Sequence, residues 1–186
     1  MMPPLSPLFR TFVLTYSLAA SSLAFAADPA PAGDNLLTNG NFEEGATGWP
    51  AAGNGIEYPQ ENGNTYLQLK SPEPGKQVQA HRKLDITGAD KALTLTFRAR
   101  WTEIVPGEQV WHVGSVVVHF KDEAGGLLKP DPKPKNFKGS SDDWKEFTMD
   151  LEVPANAASL EIMPVLFQVA SGTLEIDDLV LSPTAK

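Results

Sequence analysis

The feature that most constrains the fold of this chain is an alternation of apolar and polar residues with a period of two. In the segment ALTLTFRARW, residues 92–101, apolar and polar side chains fall on opposite sides of an extended backbone. The apolar side carries Leu93, Leu95, Phe97, Ala99 and Trp101, and the polar side carries Thr94, Thr96, Arg98 and Arg100. An amphipathic helix would repeat about every 3.6 residues, so the pattern predicts a half-buried β-strand.

The same alternation recurs along most of the chain. Residues 65–70 and 145–153 show it clearly, and further strands are predicted at 77–86, 110–120, 159–167 and 172–181. Clusters of Gly, Pro, Asn and Asp separate these segments, as expected for turns. Eight or nine short antiparallel strands predict an all-β fold, an antiparallel β-sandwich of the jelly-roll type, formed by one domain.

Composition excludes several functional classes. The chain has 186 residues and no Cys, so it has no disulfide framework, no Cys-ligated metal site and no thiol nucleophile. It carries 15 Lys and Arg against 23 Asp and Glu, a net charge of −8. An acidic balance of this size argues against a nucleic-acid partner, because phosphate affinity comes largely from Lys and Arg.

The N-terminal segment is typical of a signal peptide. After Arg10 an uncharged stretch, residues 11–26, ends in Ala24-Phe25-Ala26, with small residues at the positions that a signal peptidase reads. The stretch is shorter than the roughly 20 apolar residues of a membrane span. We therefore expect a signal peptide at 1–26, a linker at 27–34, a domain at 35–183, and a secreted or periplasmic protein without a membrane span.

Three segments resemble a known family. They are NLLTNGNFEEGATGW (35–49), SSDDWKEFTMDLEVP (140–154) and GTLEIDDLVL (172–181). In this order they are similar to the carbohydrate-binding modules of the family 4, 9 and 22 group, which have a galactose-binding-like β-sandwich fold. The resemblance implies a polysaccharide or oligosaccharide ligand.

The resemblance also implies a structural calcium ion, which members of the family commonly hold between the two chain ends. Carried over by position, Glu43 and Asp178 would be carboxylate ligands, and Asn41 and a turn near residues 62–63 would supply further oxygens. Asp177 is an alternative to Asp178. The other interpretation is that these carboxylates lie on the surface beside buried apolar residues.

Tryptophan is the first residue type to consider for saccharide binding, because a sugar ring presents a face of C–H groups to a flat aromatic ring. Trp49 is predicted to pack in the core or a loop, and Trp144 to pack against the sandwich, as the same position does in the related modules. Trp101 is predicted to face the core unless a bulge or the end of its strand turns it outward. Trp111 falls in the phase opposite to residues 116, 118 and 120, so a regular strand at 110–120 would turn it outward. A bulge at Gly114 would reverse that phase and bury Trp111.

Polar side chains that bind the sugar hydroxyls are the second requirement. If neighbouring strands form one concave surface, the candidates are Gln79, His81, Arg98, Arg100, His119 and Glu161. Two arginines two residues apart need compensation, either by a ligand or by carboxylates such as Glu161 and Glu175. Phe137 lies in the basic segment 129–139, which is interpreted either as a wall of the site or as a solvated loop.

Enzyme motifs for nucleophilic, phosphate-binding, zinc or dinucleotide chemistry do not occur in the sequence. We therefore expect a non-catalytic carbohydrate-binding protein. A structural or protein-interaction β-sandwich without a sugar site is the main alternative. A small polysaccharide-active enzyme that uses Glu161 and Glu175 is a weaker one. The sequence does not define the glycan or the oligomeric state.

Overall fold

The computed structural model describes residues 35–86, 91–141 and 143–184, and those residues form β-strands and turns without a helix. The predicted signal peptide and linker, 1–26 and 27–34, lie outside the described residues. A helix long and apolar enough to cross a bilayer is therefore not found in these three ranges.

Twelve strands are present in the described chain. In order they are β1 (Ile56–Glu57), β2 (Gln60–Glu61), β3 (Asn64–Thr65), β4 (Leu67–Lys70), β5 (Val78–Gln79), β6 (Arg82–Asp85), β7 (Ala92–Val105), β8 (Gly114–Lys121), β9 (Lys135–Phe137), β10 (Lys145–Glu152), β11 (Ser159–Leu166) and β12 (Ser171–Pro183). The long alternating segment predicted at 92–101 is the beginning of β7.

The strands form two larger antiparallel sheets and one small hairpin. The first sheet has the order β1-β4-β12-β7-β10. The second has the order β5-β11-β8-β9, and β6 pairs with the other half of β11. Strands β2 and β3 form the hairpin. The prediction of an all-β antiparallel sandwich is confirmed.

One core lies between the two sheets, and the alternation read from the sequence defines its two sides. Leu93, Leu95 and Phe97 of β7 are at most 2% exposed. Val116 and Val118 of β8, at the predicted inward positions, are fully buried. These residues belong to a single apolar cluster. Burial of apolar side chains from both inner faces is the main stabilisation of a sandwich.

A β-bulge in β12 changes which side of the strand faces the core. Leu174 and Ile176 are buried at even positions, whereas Leu179 and Leu181 are buried at odd positions. The register with β7 shifts between residues 177 and 180, and Asp178 has a φ of 49°. The extra residue allows two consecutive aspartates to lie at the outer side of the first sheet.

Candidate functional site

The outer side of the second sheet brings together most of the predicted polar candidates. Residues directly opposite each other on neighbouring strands share a face, and the register aligns Gln79 with Val165, Val165 with Ser115, and Glu161 with His119. We call this surface the second face. It comprises Gln79, His81, Lys83, Ser115, Val117, His119, Lys121, Asn136, Glu161, Met163 and Val165.

The central strand of the second face is buried on both sides. The even residues of β11 pack into the core, and the odd residues Glu161, Met163 and Val165 are only 8%, 9% and 5% exposed. Side chains of the flanking strands therefore cover much of the outer side of β11. The second face has apolar residues in its middle and polar residues at its sides.

Glu161 is a carboxylate of the second face that contacts two neighbouring side-chain donors. Its Oε1 accepts a hydrogen bond of 2.9 Å from Lys121 Nζ and lies 3.2 Å from His81 Nε2. Burial raises the pKa of Glu161, but the Lys121 hydrogen bond and the charges of His81 and Lys121 outweigh it and hold the pKa below the usual range. Glu161 is thus an ionised acceptor with two donors beside it, a group suited to binding hydroxyls.

Trp111 lies in the loop before β8, and its side chain is 61% exposed. The prediction that 110–120 is one strand is wrong at its start, because β8 begins at Gly114. The loop is held by hydrogen bonds from His112 N to Gln109 O and from Gly107 N to His112 O. A side chain at Gly107 would meet Gln168 O at 2.1 Å, so this close loop contact requires glycine.

Two further rings lie beside Trp111. The His112 ring is edge-on to Trp111 at 6.0 Å and to Phe167 at 5.5 Å. Phe167 N donates to Val113 O, which fixes the residues after β11 against this loop. Sequence reasoning missed His112 and Phe167. The signal for Phe167 was available, since it continues the odd positions of β11 after Val165.

Amide side chains lie at the two lateral edges of the second face, on β5 and on β9. Ser115 Oγ donates to Asn136 Oδ1 at 2.8 Å, and Gln79 Oε1 accepts from Gln77 Nε2 at 2.6 Å. At Gln79 the face continues into a groove lined by residues 50–54, Ile56 and residues 77–79. Gln79, His81, His119 and Glu161 therefore share one surface, as predicted, and their role in ligand binding stays a prediction.

Arg98 and Arg100 lie on the other sheet, so the prediction that they share a face with Glu161 is wrong. Arg98 contacts Asp177 and Asp178 at 3.0 and 2.7 Å. Arg100 contacts Glu175 at 2.5 Å and Glu61 at 3.0 Å. The expected compensation of the two arginines is thus supplied by carboxylates of β12, including the predicted partner Glu175, and by Glu61 of the hairpin.

Among the predictions for aromatic residues, one is wrong and others agree with the structure. Phe137 is 2% exposed and contacts Trp101 at 5.0 Å, so the prediction that it contacts ligand is wrong. Trp49 is buried against Phe42, as predicted. Trp144 is half-buried and packs against the outer side of the first sheet, where the two arginines lie against its ring.

The residues proposed for calcium converge at one turn. Leu179 N donates to Gly40 O, which joins the two ends of the domain. Glu43 Oε1 accepts from Thr65 N, and Asp177 Oδ2 accepts from Asn64 Nδ2, both at 2.8 Å. Carboxylate oxygens from both ends of the domain therefore contact residues 64–65, next to the predicted turn at 62–63.

The calcium ligand set is not assembled as carried over from the family. Asp178 pairs with Arg98, and Asn41 is exposed. No group of three acidic or histidine side chains close enough to hold a metal occurs in the described part of the chain. Glu43 and Asp177 supply carboxylate oxygens on either side of residues 64–65, but both Asp177 oxygens already accept hydrogen bonds, from Asn64, Arg98 and Asp178 N. A hard cation would have to replace one of these donors, and main-chain or amide oxygens would have to complete the coordination.

Comparison with known proteins places the fold. No protein-family model matches the chain, and no curated protein matches it either. Among solved structures, a family 16 carbohydrate-binding module aligns with a TM-score of 0.56 and 19% identity, over 79% of this chain and 99% of the module. The CBM22-1 xylan-binding domain of Paenibacillus barcinonensis Xyn10C aligns with a TM-score of 0.55 and 18% identity, over 84% of this chain and 99% of that domain.

A larger protein contains the same fold as one part. The enzymatically active domain of tailspike protein 4 from bacteriophage CBA120 aligns with a TM-score of 0.62 and 15% identity. The alignment covers 81% of this chain but only 21% of the tailspike chain. The chain thus has the β-sandwich fold of carbohydrate-binding modules.

Proposed function

We propose that this protein is a non-catalytic saccharide-binding protein that uses the second face and the Trp111 loop. The observation that carries the proposal is the indole of Trp111, which is 61% exposed in the loop that leads into β8, at one end of the second face. Tryptophan is enriched at interaction surfaces, because its indole offers a large flat apolar area together with an N–H donor. The likeness in fold to carbohydrate-binding modules supports a saccharide as that partner.

The side chains of the second face and the Trp111 loop suit a sugar chain, because they combine apolar contact area with hydrogen-bonding groups. The indole stacks on the C–H face of a ring, and the apolar middle formed by Val117, Met163 and Val165 contacts further C–H groups. Glu161 with His81 and Lys121 exchanges hydrogen bonds with hydroxyls at the other end. The six residue steps from Ser115 to Lys121 span about 20 Å, which is room for several sugar rings and favours a polysaccharide or oligosaccharide.

The rest of the proposal concerns location and catalysis. The signal peptide predicted at 1–26 supports export, which would bring the protein to extracellular or periplasmic glycans. Glu161 is ionised and paired, and Glu175 lies on the opposite sheet in contact with Arg100. The two carboxylates named for the enzyme alternative therefore do not flank one site, which supports a binding role without catalysis.

Affinity electrophoresis tests the proposal. Wild-type protein is run through gels that contain soluble xylan, mixed-linkage β-glucan or galactomannan, and is mixed with insoluble cellulose. We expect retardation or pull-down by at least one of them, and affinity about tenfold weaker for Trp111→Ala. Val110→Ser is the matched control, because Val110 is 86% exposed in the same loop. Binding to none of these glycans would contradict the proposal and favour a protein-interaction sandwich.

We also propose a structural calcium ion at the turn near residues 64–65. Glu43 and Asp177 would be its carboxylate ligands, with Asp178 as the alternative. A cation there would tie the first described segment to β12, which is the role of a staple in a chain without Cys. The position of Glu43 and Asp177 on either side of Asn64 and Thr65 supports this site.

A further inference from the structure

We infer that the outer side of the first sheet carries a second saccharide-binding surface, built on Trp144. We call it the Trp144 shelf and define it as Trp144 with Tyr66, Arg98 and Arg100 beneath it and Glu61 and Gln68 beside it. Its ligand class is taken from the proposed function, so the inference rests on that proposal. The shelf lies on the opposite sheet from Trp111.

The indole of Trp144 packs against three side chains of the first sheet and its neighbouring turn. The guanidinium carbons of Arg100 and Arg98 lie 4.9 and 5.5 Å from the ring centroid. Tyr66 meets the ring edge-on at 5.4 Å, with an interplanar angle of 78°. Arginine stacking on an aromatic face restricts the ring without burying its second side.

The two arginines beneath the ring are themselves fixed. Arg98 is paired with Asp177 and Asp178, and Arg100 is paired with Glu175 and Glu61. Their charges are therefore compensated within the sheet, so the shelf does not favour an anionic ligand. Binding to a surface that is already ordered loses little side-chain entropy, which favours even a weak stacking ligand.

Trp144 is half-buried and lies outside the described core, so part of its indole is exposed on the outer side of the sheet. Trp49 packs on Phe42 with the ring centroids 5.1 Å apart, and Trp101, which is also half-buried, packs on the core and on Phe137 with the centroids 5.0 Å apart. These two tryptophans also use their N–H groups inside the fold, donating to Asn39 O and Lys138 O. Of the four tryptophans, Trp111 is exposed in a loop and Trp144 is half-buried on the outer side of a sheet, whereas Trp49 and Trp101 pack on the core.

The rim of the shelf supplies hydrogen-bonding groups. Glu61 has a half-exposed side chain, and its Oε2 pairs with Arg100. Gln68 donates to Glu175 through Nε2, so its carbonyl oxygen stays on the sheet surface. Glu146 is exposed and lies opposite Arg98 in the register of β10 and β7. A flat ring with acceptors at its edge is suited to a neutral sugar ring, whose hydroxyls donate to them.

Two surfaces on opposite sheets have a functional consequence. The outer sides of a sandwich point away from each other, so one glycan chain on the second face and another on the Trp144 shelf would be joined by the protein. Such a bivalent protein cross-links soluble polysaccharide, and its apparent affinity for a polymer exceeds that of either site.

The test uses a variant in which the shelf is intact and the Trp111 platform is removed. Fluorescence of Trp111→Ala protein is quenched with acrylamide in the presence and absence of soluble xylan, mixed-linkage β-glucan or galactomannan. We expect the polysaccharide that retards the wild type to lower the quenching of Trp144 by about half. Unchanged quenching with a polysaccharide that binds the wild type overturns the shelf and leaves the proposed function standing.

Light scattering of polysaccharide solutions tests the cross-linking. Wild-type protein should raise the scattering, and Trp144→Ala, checked for folding by its melting temperature, should lower that effect about tenfold while it is still retarded in gels. Trp144→Tyr keeps a flat ring and should retain most of it. Equal scattering by wild type and Trp144→Ala overturns the inference. Failure of the wild type to bind any of the three glycans overturns both proposals together.

Discussion

Each outer face of the sandwich buries a carboxylate, and the two carboxylates differ in their pKa. On the first sheet Asp177 is fully buried, and burial, with a further contribution from the charge of Asp178, raises its pKa to about 6 despite its contacts with Asn64 and Arg98. On the second face Glu161 is 8% exposed, and its partners Lys121 and His81 hold its pKa below the usual range.

The difference separates a region that holds the fold from a region that is open to ligand. Asp177 has its hydrogen-bonding partners inside the protein, since Asn64, Arg98 and the main chain of Asp178 all contact it. Glu161 shares its partners with solvent, since His81 is 43% exposed and Lys121 is 29% exposed. A hydroxyl can therefore replace water at Glu161 without opening the structure.

The largest expected effect is that of removing the Asp177 carboxylate. Asp177→Ala leaves Arg98 with Asp178 alone and Asn64 without its acceptor, so we expect the free energy of unfolding to fall by about 3 kcal/mol. Urea denaturation measures it. The matched control is Asp150→Ala, an exposed residue on the same side of the same sheet, expected to change stability by less than about 0.5 kcal/mol. Equal effects of the two variants would contradict the comparison.

Chelation is expected to have the next largest effect. If calcium binds Glu43 and Asp177, EDTA removes a ligand of the folded state and lowers the melting temperature by about 5 °C. Glu43→Gln should lower the melting temperature in calcium and abolish the response to EDTA, while Glu44→Gln next to it should respond like the wild type. A melting curve of the wild type that EDTA leaves unchanged removes the calcium proposal.

The pH dependence of stability sharpens the comparison, because the two carboxylates should act in opposite directions. The folded state binds the Asp177 proton more tightly than the unfolded state does. In EDTA, the stability of the wild type relative to Asp177→Asn should therefore fall as the pH rises from about 4 to about 6. A difference that is flat over this range would contradict the raised pKa.

Glu161 should show the reverse trend with a smaller amplitude. Its folded-state pKa lies below its ordinary value of 4.5, so its contribution is present above that pH and is lost as the pH falls below it. We expect the wild type to exceed Glu161→Gln by about 1 kcal/mol at neutral pH and to lose this advantage in acid. An advantage that persists at pH 3, or grows there, would be inconsistent with this assignment.

Trp111 should have the smallest effect on stability and a large effect on binding. Since its side chain is mostly in solvent, Trp111→Ala should change the free energy of unfolding by less than about 0.5 kcal/mol. A loss above about 2 kcal/mol in urea denaturation would show that the loop is part of the fold, and the exposed platform would then be in doubt.

The inner faces were predictable from the sequence because side-chain alternation along a strand is a local property. It correctly assigned residues such as Leu95 and Val118 to the core. The sheet to which each strand belongs depends on pairing between distant segments, and local alternation contains no such information. The sequence therefore could not show that Arg98 and Glu161 lie on opposite sides of the sandwich.

The surroundings of two tryptophans could not be predicted from local alternation either. For Trp111 two positions were left open, outward on a regular strand or buried after a bulge, and it is exposed in a loop because β8 starts at Gly114, four residues after the predicted start. Trp144 was predicted to pack against the sandwich, but its partners Arg98 and Arg100 follow from the pairing of β10 with β7. Both outcomes depend on contacts between segments far apart in sequence.

The four indole N–H signals in a ¹H–¹⁵N spectrum report directly on whether saccharide binds at the exposed indoles. During titration with xylan, β-glucan or galactomannan oligosaccharides, we expect the signal of Trp111 to shift and that of Trp144 to follow as the shelf fills. The signals of Trp49 and Trp101 should stay in place, since their N–H groups donate to Asn39 O and Lys138 O. Signals that all remain unchanged, or shifts confined to Trp49 and Trp101, would contradict this expectation.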